Sequence, residues 1–313
     1  MKNTIMKIDK RSIIHGVIRL RIQQMMVNEW YKAGRFKIPI HLGFGHEAIA
    51  VAVNAIMKKK DRLILTHRNV AYNLARENLL RPFLEEYALR PEGIAGGRFG
   101  SMNLINPSRG VVYTSSILGN QFPVAVGVSF GRALQRARGI AIVSGGDGAV
   151  EEGAFYESML MAASIKAPVL FLIENNEWSM HTSIRERRVD IDLRKIVGAL
   201  ALPYVHLKGN NVFAYIQTLE RVRARILASR MPACVEVTVK TLGDWYDMKN
   251  PLYPHGKFVK YHTGASPTVT LSEETVLKKN TDDPLFVLGR LVSSASVKKM
   301  AVQELARIQK EMI

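Results

Sequence analysis

The sequence predicts an α/β fold: a mostly parallel sheet with helices on both faces. Three observations predict it. Short runs that read as strands recur at 63–65, 140–143, 169–173, 204–207 and 235–239. Stretches with helical hydrophobic spacing separate most of them, and such alternation builds parallel sheets buried on both faces. The runs at 140–143 and 169–173 flank a helical stretch, 153–166, as a β-α-β unit.

In chain order, residues 12–34 place Ile14, Ile18, Ile22, Met25 and Met26 on one face of an amphipathic helix. Residues 46–57, rich in Ala and Val, predict a helix slim enough to pack inside. A buried strand at 63–65 ends at Thr66-His67-Arg68, and a short helix follows at 82–90. Residues 95–117, rich in Gly, Ser and Asn, predict a loop over a site. Pro123 suits the start of a helix running to 137. Beyond the β-α-β unit come a charged loop at 177–190, a helix at 212–229 between two strands, and an irregular stretch at 241–280. Helices at 284–293 and 295–312 close the chain. The expected division is one α/β domain, 1–260, which includes the first helix, and a helical extension, 261–313.

Composition bounds the function. A chain of 313 residues, 47% hydrophobic, buries roughly three quarters of its unfolded surface. No run reaches the roughly 18 apolar residues of a membrane span. The basic amino terminus lacks an apolar core and cleavage site, so a cytoplasmic protein is expected. Cys234, the single cysteine, sits in an apolar run and reads as a buried, unreactive thiol. The net charge of +17 is spread along the chain. Its densest clusters are 185–188 and 221–225, the second read as a solvated helix stripe. No aromatic interleaving, helix-turn-helix or zinc pattern accompanies them, so nucleic-acid binding is not expected. An acidic partner, or an anionic cofactor and substrate, accounts for the charge.

Two residues carry the chemistry. Asp147, in Gly145-Gly146-Asp147-Gly148-Ala149, and Asn176, in Glu174-Asn175-Asn176-Glu177-Trp178, each follow a predicted strand. Ligands of open α/β sheets bind at that carboxyl edge. A charged and a neutral oxygen suit Mg²⁺, which takes one or two protein ligands and fills its octahedron with phosphate and water. Gly148 and Gly153 allow close backbone approach, and the following helix start favours an anion. The implied ligand is a metal-bridged diphosphate. Each piece alone is also ordinary turn chemistry.

Taken together, the two motifs resemble the thiamine diphosphate fingerprint, and the chain resembles the alpha subunits of 2-oxo acid dehydrogenases. Residues 40–48 are similar to that family's HLxxGQEA segment, 66–69 to HRGH or YRAH, 96–103 to GGKGGSMH, and 118–127 to VGAQxPxAxG. The resemblance implies a thiamine diphosphate-binding fold. It implies Mg²⁺ on Asp147, Asn176 and the backbone carbonyl of Trp178. It places the cofactor against Arg68, Ser116, Leu118, Gly146, Asp147, Gly148, Ala149, Asn176 and Trp178. It also implies decarboxylation of a small 2-oxo acid and transfer of the acyl unit. The glutamate that activates the cofactor is expected from a separate beta subunit in an α2β2 assembly, with a lipoyl acyltransferase as a further partner.

Several residues keep two readings. Arg68 holds the diphosphate or pairs with a structural carboxylate. His41 is the catalytic candidate, or a satisfied core histidine. Glu47 matches the family segment and also suits a helix start; Glu157 reads as structural. His181 and Ser183 lie in a loop that covers the cofactor or is simply exposed. The chain departs from the family at Val70 and Asn103, where histidines are usual, and shows no counterpart of the later RxHGHS segment. These departures leave open a decarboxylase or carboligase without a lipoyl partner, and a non-catalytic homologue. A non-thiamine nucleotide-binding enzyme is disfavoured, because neither GxGxxG nor a Walker loop is present.

Overall fold

The computed structural model describes residues 9–248 and 255–312; most of the basic amino-terminal segment lies outside them. The chain opens with α1 (Lys10–Lys32) and α2 (Glu47–Ile56), then β1 (Arg62–Thr66), α3 (Val70–Ala75) and α4 (Arg81–Tyr87). Next come β2 (Val111–Ser115), α5 (Gln121–Leu134), β3 (Ala141–Gly146), α6 (Gly153–Ser164) and β4 (Val169–Asn175). A small hairpin, β5 (Trp178–Ser179) and β6 (Thr182–Ser183), leads into α7 (Ile184–Arg187) and α8 (Leu193–Ala199). The chain continues through β7 (Tyr204–Leu207), α9 (Val212–Ser229), β8 (Ala233–Thr238), and a second hairpin of β9 (Trp245–Asp247) and β10 (Lys257–Val259). It ends in α10 (Pro284–Val292) and α11 (Ser294–Met312).

Six strands form one sheet in the order β2-β1-β3-β4-β8-β7, and every pair is parallel. Successive side chains of a strand point to opposite faces. Leu63, Leu65, Ile142, Leu170 and Leu172 accordingly join one core cluster with α1, α2 and α9. Ile64, Val143, Val169, Phe171 and Ile173 join the other, with α5 and α6. Burial on both faces is why these strands read as unbroken apolar runs. The strand after β1 lies on one side of it and β3 lies on the other. The crevice at their carboxyl ends is therefore the topological switch point, where open α/β sheets bind ligands.

Three expectations need correction. The stretch 95–117 is not all loop: it contains β2, an edge strand. The loop 177–190 contains a hairpin and α7. Arg223 does not share a solvated stripe with Arg221 and Arg225. At 100° per residue it points elsewhere, and its guanidinium meets buried Asp61 at 2.8 Å. Cys234 is buried in β8 as expected, and burial raises its thiol pKa.

A buried ion cluster ties α1, α2 and α10 together. Arg21 of α1 donates to Glu47 at 2.6 and 3.0 Å, to Asp283 at 3.0 Å and to the Thr275 carbonyl at 2.6 Å. All three charged side chains are fully buried. Glu47 also accepts the Gly45 N–H at 2.9 Å. It thus fixes the turn that leads from His41 into α2, rather than only favouring a helix start.

Candidate active site

The parallel register sets the geometry. In the β3–β4 pair, Gly146 stands opposite Glu174, so Asp147 and Asn176 leave the sheet side by side. The Asn176 N–H reaches the Asp147 carboxylate at 3.3 Å across 29 residues. His41, Arg68, Ser116, Leu118, Gly146, Asp147, Gly148, Ala149, Asn176 and Trp178 all line one cavity of about 260 Å³ at this edge. Every site residue expected from the sequence is therefore in one place. His181 and Ser183 are not in its lining; His181 is exposed, with its ring 6.4 Å from that of His262.

One wall is basic without being protonated. His41, His67 and His262 bring ring nitrogens within 4.8 Å of one another. Burial, and then the Arg68 guanidinium, lowers their pKa values to about 2, 3 and 4. Neutral imidazoles in such a group can ligate a transition metal. Here Arg68 lies beside them, 3.5 Å from His262 Nδ1, and donates to the carbonyls of Leu42 at 2.7 Å and His262 at 3.2 Å. A fixed guanidinium disfavours a second cation and favours an anion. Of its two sequence readings, Arg68 thus takes neither carboxylate partner nor ion pair among the described residues; carbonyls hold it facing the cavity.

The floor is acidic and fully engaged. Glu174 accepts from Tyr72 at 2.5 Å, from Ser144 at 2.9 Å, and contacts His46 Nδ1 at 2.6 Å. Burial alone would raise the Glu174 pKa, but these partners together hold it below the usual range. His46 Nε2 contacts Thr241 at 3.0 Å, and Thr241 also accepts from the Asn176 amide at 3.0 Å. Asp147 differs: burial raises its pKa, and the Arg187 guanidinium, 2.7 Å away, only partly offsets this.

The cavity fits a polar ligand. His41 Nδ1 and both amide atoms of Gln121 are buried without a hydrogen-bond partner, which is costly unless a ligand or water satisfies them. A Cβ on Gly148 would meet Ser179 Oγ at 2.8 Å, so only glycine lets the hairpin close over Asp147. The donor set of Asp147, Asn176 and a main-chain carbonyl is hard oxygen, suited to Mg²⁺.

The family model of the dehydrogenase E1 component matches residues 16–241. The chain belongs to the dehydrogenase E1 component family. Similar proteins include a pyruvate dehydrogenase E1 component subunit alpha from Rickettsia bellii, 28% identical over 221 residues, covering 71% of this chain and 68% of the relative. The mitochondrial subunit from Chaetomium thermophilum is 25% identical over 282 residues, covering 90% of this chain and 64% of its own. A transketolase from Pichia stipitis, solved with xylulose-5-phosphate, superimposes with a TM-score of 0.60 at 15% identity. It covers 96% of this chain, which spans 45% of the transketolase. That likeness is one of fold.

Within this E1 family member, sequence reasoning missed four residues at the site. His67 lay inside a quoted segment but was passed over for its neighbour Arg68. Glu174 precedes Asn175-Asn176 and lies on the same face of β4 as Leu170 and Leu172. His46 stands in the family-like segment at 40–48. His262, in Tyr261-His262-Thr263-Gly264, lines the cavity from the stretch after the β9–β10 hairpin. Of the two departures, Val70 is fully buried in the core and Asn103 is exposed.

Proposed function

We propose that this chain is the alpha subunit of a thiamine diphosphate- and Mg²⁺-dependent enzyme that decarboxylates a small 2-oxo acid and transfers the acyl unit. The observation that carries the reading is the convergence of Asp147, Asn176 and Arg68 on one cavity in a chain of the E1 family. Asp147, Asn176 and the Trp178 carbonyl would hold the metal, with Arg68 and the neutral imidazoles facing the diphosphate. The exposed turn at Ser116 and Leu118 would face the cofactor's ring. When bound, thiamine diphosphate supplies the carbon nucleophile and the electron sink. The chain's residues position it, and His41, uncharged at neutral pH, offers an N–H to a substrate oxygen or a lone pair to a substrate hydroxyl.

Charge accounting supports a second subunit. The carboxylates lining the cavity are Asp147 and Glu174. Asp147 is committed to cations, and Glu174 is held by three partners as a carboxylate. Neither is free to exchange a proton with the cofactor's ring, so an acid from another chain completes the site. On this reading the assembly is α2β2 and cytoplasmic.

The test is to isolate the tagged chain with whatever accompanies it and measure thiamine diphosphate per chain, with and without Mg²⁺. Near-stoichiometric cofactor is expected, lost in Asp147→Ala while the circular dichroism spectrum stays unchanged. Equal retention of cofactor by Asp147→Ala sinks the assignment.

A further inference from the structure

The cation that neutralises Asp147 is the chain's own. Arg187, the last residue of α7, donates to Asp147 Oδ2 at 2.7 Å and lies 3.0 Å from Glu151. The contact is built from several sides. Ser183 and Glu186 form a reciprocal capping box that fixes the start of α7. Arg187 also donates to the Thr182 carbonyl at 2.6 Å, closing the helix back on the hairpin. Arg188 holds Glu151 at 2.9 Å. The other Asp147 oxygen receives the Asn176 N–H. Each oxygen of the expected metal ligand therefore accepts one hydrogen bond from the chain itself.

We propose that Arg187 is an internal competitor for the divalent cation: it latches Asp147 in the unloaded chain and must be expelled when metal and diphosphate bind. This rests on the metal reading of Asp147 given above. Mg²⁺ would approach the carboxylate to about 2.1 Å, and a guanidinium hydrogen-bonded to the same carboxylate opposes it as a like charge at close range. Glu151 gives the displaced guanidinium a place to stay, so expulsion costs one of two ion pairs rather than both. Because α7 and the hairpin carry Arg187 together with Trp178, whose carbonyl is the third expected ligand, loading and rearrangement of residues 178–188 are coupled.

The consequence has a sign that separates it from the plain alternative. Arg187 sits beside the expected diphosphate, and a residue that simply bound phosphate would weaken cofactor binding when removed. A latch would strengthen it. The charge-assisted hydrogen bond relinquished by Asp147 corresponds to a change of about tenfold.

The experiment uses the full chain isolated with its accompanying subunits and stripped of cofactor. Mn²⁺ replaces Mg²⁺, so that free and bound metal are counted by electron paramagnetic resonance, with and without thiamine diphosphate. Arg187→Gln is expected to bind Mn²⁺ about tenfold more tightly than wild type. Amide exchange at 178–188 in the wild type is expected to change on loading, which tests the latch without any variant. Unchanged or weaker Mn²⁺ binding by Arg187→Gln overturns the latch, and so does exchange at 178–188 indifferent to loading. If Asp147→Ala binds Mn²⁺ as well as wild type, the metal reading itself has failed and takes the latch with it.

Discussion

Replacing Arg21 by Met removes one guanidinium and strands two carboxylates, Glu47 and Asp283, neither of which touches solvent. Breaking a buried ion pair by deleting one partner costs about 3–5 kcal/mol, because an uncompensated charge remains. The structure argues for the lower end. Asp283 keeps the N–H groups of Leu277 at 2.6 Å, Lys278 at 3.0 Å and Leu285 at 2.9 Å. Glu47 keeps Gly45 at 2.9 Å and the Gln24 amide at 3.1 Å. A loss of about 3 kcal/mol is expected, or roughly 6 °C in Tm at about 2 °C per kcal/mol for a chain of this size. Urea titration followed by tryptophan fluorescence measures it. The cause is checked by the triple variant Arg21→Met, Glu47→Gln, Asp283→Asn, which removes the stranded charges and should recover part of the loss. A single-variant loss below about 1 kcal/mol, or a triple variant no better than the single, would refute the reasoning.

Two further outcomes follow from the site. His41 and His67 are neutral in the folded chain far below the ordinary histidine pKa, with values of about 2 and 3. Below about pH 6.5 the unfolded chain binds protons that the folded chain refuses, so stability falls as pH drops through 6. Each of the two adds up to about 1.4 kcal/mol per pH unit there. Thermal melts between pH 7.5 and 5 should show the slope, and His41→Asn should flatten it; an equal slope in that variant rejects the assignment. At Gly45 the backbone has φ +92°, and a Cβ would lie 1.9 Å from the Lys240 carbonyl oxygen. Gly45→Ala should cost about 3 kcal/mol or more in chemical denaturation, and near-wild-type stability would show that the turn tolerates a side chain.

The parts of the fold that the sequence disclosed are those with both faces buried. β1, β3 and β4 carry unbroken apolar runs because helices cover the sheet on either side. β2 escaped for the converse reason: as an edge strand it is only partly covered, and its Val-Val-Tyr-Thr-Ser lies among glycines and serines that read as loop. The site was legible wherever a residue follows a strong strand, as Arg68, Asp147 and Asn176 do. His262 follows no strand of the main sheet, so the rule that reads sites at strand ends does not reach it. Arg187 was visible only as one more charge in a basic loop. Nothing in the sequence distinguishes it from Arg185, which is exposed. That difference is set by the turn of α7 and the closure of the hairpin.

Motifs and structure carry different weights in the functional argument. Asp-Gly after one strand and Asn-Asn after another are ordinary turns, and a sheet of this size has several carboxyl ends. Register and topology make the two into a pair. Parallel pairing aligns Gly146 with Glu174 and brings the two turns to the same level. The reversal of strand order at β1 then opens a crevice beside them, instead of burying them under a crossover. Arg68 at the end of β1 enters the same crevice from its other side. A carboxylate and a guanidinium that line one cavity suit a ligand carrying both charges, as the proposed metal-bound diphosphate does. Neither end of that dipole would specify the ligand alone. The opposed pair disfavours a simple organic anion, which would engage Arg68 alone and leave Asp147 on Arg187. It equally disfavours a bare cation, which would stand against Arg68.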